Sequence, residues 1–199
     1  MVDLIICVGF FYIAHLFFTM SFSLHKVPFL DWTHTGGDIS GMSDPLTPKI
    51  ISKSGASIVI MHIKGSPKNM QIKPNYKFAP IEIYNFLEKK IELALSEGIK
   101  LNRIAIDPGF GFGKTLIHNY KLLNNLKTLS TITSNILVGI SRKSMIGDLL
   151  NKPVNDRLDG SLAAAVLSFI NNAKIIRTHD VRETKIAILV ARELIGMNK

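Results

Sequence analysis

The chain has 199 residues, 47% hydrophobic and 20% charged, which excludes a disordered chain and makes one domain with one core the default. Its formal net charge is +9, yet the cations are spread along the sequence, with no lysine-arginine block and no helix-turn-helix, zinc-finger or RNA-binding signature. That pattern points away from nucleic acid and towards an anionic ligand or a solvated basic surface, and the lone Cys7 excludes a disulfide within the chain and fits a reducing compartment.

Leu4 to Phe22 is a 19-residue apolar window in which only His15, Thr19 and Ser21 are clearly polar. Its length matches a bilayer crossing. It lacks the cationic start of a signal peptide, because Met1-Val2-Asp3 carries an acid. Lys26 follows, so an inserted helix would keep the rest of the chain inside. Three readings are open: a membrane anchor, a buried segment, or residues foreign to the domain.

From about Gly36 the pattern alternates. Ser57 to Ile63 reads as a strand. Pro80 to Glu97 reads as a helix, with Pro80 in its first turn, an apolar stripe at Ile83, Leu87, Ile91 and Ala94-Leu95, and Gly98 to close it. Arg103 to Asp107 is the next strand, and His118 to Leu129 a helix with Leu122, Leu123 and Leu126 inward. Ile136 to Ile140 is a strand, followed by a helix over Asp156 to Asn171 with Leu158, Leu162, Val166 and Phe169 on one face. Ile175 to Thr178 is the last strand, and Glu183 to Ile195 the last helix, with Ile186, Leu189 or Val190, and Leu194 packed. The order βαβαβαβα predicts an α/β fold with parallel strands and right-handed crossovers. Half of a (β/α)8 barrel and a small doubly wound sheet both satisfy it.

The polar residues gather where the strands end. IAIDPGFGFGKT, Ile104 to Thr115, carries a buried strand into Asp107 and then into a glycine-rich loop. A P-loop would need glycine at position 108, which is Pro108, and the dinucleotide fingerprint would need glycine where Lys114 stands. What remains is a tight turn into a helix, or ligand contact through backbone N–H groups near a helix start. Asp107 must be paired or hydrogen-bonded if buried: either in an internal salt bridge, or as a planar acceptor for two N–H donors of a ring. Ser141-Arg142-Lys143-Ser144 suits an acidic or carbonyl-bearing ligand, or is a solvated loop. Alternation places Arg177 and His179 on one strand face, where they could hold a phosphate or pyrophosphate. No zinc-ligand spacing and no nucleophile elbow occurs.

In order and spacing, DISGMSDP (38–45), IMHIKGSPKNMQ (60–71), IDPGFGFGKTLIHNYKLL (106–123), LVGISRKSMIGDLL (137–150), DRLDGSLAAAV (156–166) and IIRTHDV (175–181) resemble the dihydropteroate synthases, a folate-pathway family of cytoplasmic transferases. The resemblance spans Gly37 to Ile195 and implies a (β/α)8 TIM-type barrel whose strands 5–8 are the four strands read above, the first strands being missing or replaced. Residues 37–199 would be the C-terminal half of a pterin-binding barrel domain, and residues 1–36 a non-matching hydrophobic segment. The implied reaction condenses 6-hydroxymethyl-7,8-dihydropterin diphosphate with 4-aminobenzoate, releasing 7,8-dihydropteroate and pyrophosphate with the aid of Mg2+. Carried over, Asp107 and Lys143 bind the pterin, Ser144 meets the aminobenzoate carboxylate, and Arg177 and His179 hold the diphosphate. A homodimer is the implied assembly.

The resemblance stops near Gly36. Gly37 stands where the family has a pterin-contacting asparagine, Phe17-Phe18-Thr19 stand where a second pterin carboxylate is expected, and the loop with the magnesium asparagine has no counterpart. A frameshift or misplaced start is one expected origin, and a catalytically silent pterin- or anion-binding remnant, tethered to a membrane through residues 4–22, is the alternative function. Half a barrel would also expose two sheet edges and favour self-association.

Overall fold

The structure, a computed structural model, describes residues 5–8, 18–19, 21–22, 35–38, 42, 45–66 and 69–197. In chain order the strands are β1 (Ile5–Val8), β2 (Phe18–Thr19), β3 (Ser21–Phe22), β4 (Thr35–Asp38), β5 (Ser57–Met61), β6 (Ile104–Asp107), β7 (Leu137–Val138) and β8 (Ile175–Arg177). The helices are α1 (Leu46–Ser54), α2 (Ala79–Ser96), α3 (Leu116–Asn124), α4 (Ser144–Leu150), α5 (Leu158–Ile170) and α6 (Val181–Met197).

Two sheets form, ordered β2-β4-β5-β6 and β3-β1-β8-β7. β4, β5 and β6 run parallel, as do β7, β8 and β1. A parallel bridge between Ile106 and Ile136 joins the two sets. The predicted α/β fold with parallel strands is therefore present. The N-terminal residues add what the sequence did not suggest. Ile5–Val8 pairs in parallel with β8, with Ile5 opposite Ile175, and Phe18–Thr19 pairs antiparallel with β4. The outer sides of β8 and β4 thus carry strand partners, where half a barrel was expected to leave sheet edges exposed. Phe18–Thr19 is the outer strand of one sheet, beside β4, and Ser21–Phe22 the outer strand of the other, beside β1.

β5 and β6 are buried along their whole length, on both faces, with Ile58, Val59, Ile60, Ile104, Ala105 and Ile106 all in the interior. Continuous apolar runs are what a parallel sheet covered on both sides requires. Helix α2 starts on Ala79-Pro80, where the proline lacks only an N–H that has no helical partner. It lays Ile83, Leu87, Ile91 and Ala94 onto the core, while Leu95, expected in that stripe, is exposed. The helix expected over 118–129 is shorter: α3 ends at Asn124 and a 3-10 turn over Leu126–Thr131 buries Leu126 and Leu129.

The packed face of α6 differs from expectation. Thr184, Ile188 and Ala191 are buried, whereas Ile186, Leu189, Val190 and Leu194 are exposed. Ile188 and Ala191 meet Phe169 and Val166 of α5, and the small residue permits close approach of the two helices. On α5 the inward positions are Ser161, Ala164, Ala165, Ser168 and Phe169; Leu158, Leu162 and Val166 are only partly covered.

Among the described residues no helix is long and apolar enough to cross a membrane. The stretch from Leu4 to Phe22 contains three short strands, and its other residues lie outside those described. Residues 23–34 and most of the DISGMSDP motif lie outside them as well.

Candidate functional site

β6 ends in Asp107, which is only 2% exposed. Its Oδ1 accepts from the Gly109 N–H at 2.7 Å, and its Oδ2 lies 3.8 Å from Nη2 of Arg177 at the end of β8. The acid is thus both hydrogen-bonded and ion-paired, as a buried carboxylate must be. The neighbouring strand is tied to it by the backbone, His62 N–H donating to the Asp107 carbonyl at 2.9 Å.

The glycine loop that follows turns its carbonyls, not its amides, into its anchoring points. Gly109 O accepts from Lys114 Nζ, Phe110 O from Lys143 Nζ, Gly111 O from Gln71 Nε2, Phe112 O from Lys114 Nζ and Gly113 O from the Tyr76 hydroxyl, so all five carbonyls from 109 to 113 are capped by side chains. The amides are occupied within the chain: Gly109 N–H by Asp107, Gly111 N–H by Asn119 Oδ1 at 2.8 Å, and Phe112 N–H by Gly109 O at 3.1 Å. Ligand contact through these three N–H groups, one of the sequence readings, is therefore not how the loop is used. Gly109 has φ +70°, and a Cβ there would lie 1.9 Å from the His62 carbonyl oxygen, so no other residue fits.

The β7 and β8 exits are locked together. Arg142 donates through Nε (3.0 Å) and Nη2 to the two oxygens of Asp180, a bidentate pair. Ser141 Oγ lies 3.0 Å from His179 Nδ1 and accepts from the His179 amide at 3.2 Å. Arg177 lies across Gly139, whose missing side chain leaves room for the guanidinium: a Cβ would stand 2.8 Å from Nη2. Arg177 and His179 thus meet β7 two residues apart, on the same side. Behind them a cavity of about 10 Å³, lined by Ser141, Ser161, Ser168 and Thr178, has room for one water and none for a ring.

Burial dominates the electrostatics. Desolvation lowers the half-buried Lys143 to about 7, with Asp107 opposing and Arg177 assisting. Lys114 is likewise lowered to about 7 by burial, again opposed by Asp107. His62 is pushed down to about 3 by burial and then by the Lys114 charge. His179 is lowered by desolvation and by Arg142.

Four of the five residues singled out from sequence lie in this linked set: Asp107, Lys143, Arg177 and His179. The fifth, Ser144, opens α4 on the same loop as Lys143 and is exposed. Sequence reasoning missed Lys114, Gln71, Tyr76 and His62 as loop anchors. The Pro108 mismatch removed Lys114 from consideration, and Gln71 and Tyr76 act on carbonyls 40 and 37 residues away. Among the described residues no group of three or more His, Cys, Asp or Glu side chains could hold a metal ion.

Residues 37–179 match the family described as pterin binding enzyme. The chain is 42% identical over 157 residues to the dihydropteroate synthase of Escherichia coli, covering 79% of this chain and 56% of that protein. It is 40% identical over 164 residues to that of Neisseria meningitidis serogroup C, covering 81% of this chain and 58% of the relative. The chain therefore spans little more than half the length of the curated relatives it matches. Among solved structures, a Yersinia pestis dihydropteroate synthase in a sulfonamide drug complex superimposes with a TM-score of 0.79 at 41% identity, covering 82% of this chain and 60% of that one. A Thermus thermophilus dihydropteroate synthase in complex with 4-aminobenzoate gives 0.77 at 34% identity, covering 82% and 66%. Matched over most of its length, from the start of the parallel strands to His179, this chain belongs to the pterin binding enzyme family.

Proposed function

We propose that the chain contributes the pterin and diphosphate subsites of a dihydropteroate synthase, joining 6-hydroxymethyl-7,8-dihydropterin diphosphate to 4-aminobenzoate. The observation that carries this reading is the meeting of Asp107 and Arg177 at the tips of β6 and β8, 3.8 Å apart, with Lys143 Nζ held on the Phe110 carbonyl of the loop that follows Asp107. The identities to dihydropteroate synthases support it, as does the Thermus thermophilus enzyme in complex with 6HMPPP, similar to this chain at TM-score 0.77.

In this reading Asp107 accepts adjacent N–H donors of the pterin ring, and Lys143 donates to its carbonyl edge. Arg177 and His179 hold the diphosphate, where negative charge grows as the methylene C–O bond breaks. The aniline nitrogen of aminobenzoate attacks that methylene, a C–N bond forms, pyrophosphate departs, and the surplus aniline proton passes to solvent. An aniline lone pair is nucleophilic without help, so the site needs no strong base. In the same reading Ser144, exposed beside Lys143, meets the aminobenzoate carboxylate. No group of three or more His, Cys, Asp or Glu side chains among the described residues is available for the magnesium that the resemblance implies, and no step is routed through it.

The same reading makes the parallel strands β5 to β8 part of a (β/α)8 barrel, with 37–199 as its C-terminal half and 1–36 a hydrophobic segment that does not match the family. The parallel order and the buried strands support it. A cytoplasmic location and a homodimer complete it. The exposed apolar residues Leu167 and Ile170 on α5 and Ile186, Val190 and Leu194 on α6 support a second copy of the chain as the covering partner.

The test is to mix the purified chain with pterin diphosphate, 4-aminobenzoate and Mg2+ and to measure dihydropteroate and pyrophosphate. Equal release of the two supports the reading. Pterin binding with no product at high protein concentration leaves a binding protein without turnover, and no pterin binding removes both.

A further inference from the structure

Lys114 is 4% exposed, makes no salt bridge among the described residues, and has no part in the reaction drawn above. Its helix does not need it: α3 is capped by Thr115, whose hydroxyl accepts from the His118 amide while the His118 ring accepts from the Thr115 amide. A buried ammonium without a local duty calls for another reason, because taking the charge out of water costs several kcal/mol.

Its three N–H groups have three acceptors: Gly109 O at 2.7 Å, Phe112 O at 3.0 Å and His62 Nδ1 at 3.0 Å. A neutral His62 carrying its proton on Nε2 supplies that third acceptor, in keeping with its lowered basicity. The consequence lies one bond away. The Gly109 peptide is held at both ends, its N–H on Asp107 and its carbonyl on Lys114. The next carbonyl, Phe110 O, holds the Lys143 ammonium. His62 closes the circuit, since its amide donates to the Asp107 carbonyl and its own carbonyl abuts Gly109.

We infer that Lys114 is a positioning residue for the pterin subsite, its ammonium fixing the turn 109–112 that aims the Asp107 carboxylate and the Lys143 ammonium at the ring. This rests on the pterin reading above. Lys114 itself is too deep to touch a ligand. Its effect falls more on the pterin subsite than on the diphosphate subsite, because Gly139 and Ser141, just beyond β7, seat Arg177 and His179, and the loop reaches Arg177 through the Asp107 contact at 3.8 Å.

The experiment compares the full-length chain with Lys114→Met, which removes all three donors, and Lys114→Gln, which keeps an amide donor for the carbonyls. Three quantities are read for each: the Kd for 6-hydroxymethylpterin by fluorescence, the Kd for inorganic pyrophosphate by calorimetry, and the thermal melting curve. The expected result is a loss of pterin affinity of about tenfold or more in Lys114→Met, a smaller loss in Lys114→Gln, and pyrophosphate affinity within about twofold of the parent. Unchanged pterin affinity in Lys114→Met overturns the inference. So does an equal loss of both ligands in both variants, whether folded or not, since that marks a scaffold role. A parent chain that binds pyrophosphate but no pterin sinks the functional reading, and the inference falls with it. A parent that binds both, with variants that match it, sinks the inference alone.

Discussion

Asp107 and Arg177 face each other across the ends of β6 and β8, with Oδ2 and Nη2 3.8 Å apart, so one pair joins the subsite for a ring to the subsite for an anion. At 3.8 Å the pair is long for a salt bridge. Asp107→Asn keeps the shape, removes the charge, and replaces one acceptor oxygen by a donor. The expected outcome is a loss of pterin affinity of about 10- to 100-fold, the range for a hydrogen bond to a charged group. Pyrophosphate should bind slightly tighter, because the anion that competes for Arg177 is gone. Calorimetry with each ligand separately reads both directions.

Two glycines separate folding from binding. Gly109→Ala forces a Cβ to 1.9 Å from a backbone carbonyl at φ +70°, where nothing can move aside. A loss of stability of about 3 kcal/mol or more is expected, read as a lower denaturant midpoint. Gly139→Ala meets the far end of the Arg177 side chain at 2.8 Å, which can swing away. Stability should fall by less than about 1 kcal/mol while pyrophosphate affinity drops several-fold.

The buried His62 predicts a specific pH dependence. Its basicity falls from 6.5 to about 3 on folding, through burial first and the Lys114 charge second, with Lys64 a further contributor. The unfolded chain binds the extra proton, so its contribution to stability is complete above 6.5 and is lost as the pH drops towards 3. His62→Gln should show a shallower fall in stability between pH 6.5 and 4 than the parent, by up to one proton in the slope. Lys114 runs the same way in another window: lowered from 10.5 to about 7, it makes stability rise with pH between those values, and Lys114→Met should flatten that rise. Denaturant titrations at a series of pH values give both slopes.

The Arg142–Asp180 pair holds the loop that carries Lys143 and Ser144 against the β8 exit. Asp180→Asn should cost about 1–2 kcal/mol of stability, since the pair is only partly covered, and should weaken aminobenzoate more than pyrophosphate. Steady-state KM values for the two substrates, or direct binding, separate these effects.

The exposed stripe on α6 predicts concentration-dependent self-association. Val190→Glu with Leu194→Lys should shift the chain towards monomer in analytical ultracentrifugation without lowering its melting temperature, because both residues are exposed, 60% and 61%. An unchanged sedimentation profile removes this face as the contact.

Much of this architecture could be read from the chain. β5, β6 and α2 were legible because unbroken apolar runs and an i, i+4 stripe leave little choice. Helix α4 was not: seven residues with Gly147 inside carry no periodic signal. Helix α6 was found but turned the wrong way, because it has two apolar stripes and the packed one is the less hydrophobic, with Thr184 and Ala191 in it. For the site, strand-end chemistry pointed to Asp107, Lys143, Arg177 and His179. The anchoring of the glycine loop stayed hidden, because Gln71, Tyr76 and Lys143 reach it from segments far off in sequence, and periodicity reports only near neighbours.

That remote capping also dictates when the turn can take shape during folding. A peptide spanning 104–118 would lack most of the donors that pin its oxygens, so the turn cannot order until β5, β6 and the β7 exit have docked. Contacts of such long loop closure belong on the native side of the transition state, where substitutions hasten unfolding and leave the folding rate nearly untouched. Ligand recognition is then the last property the nascent chain acquires and the first it surrenders under denaturant.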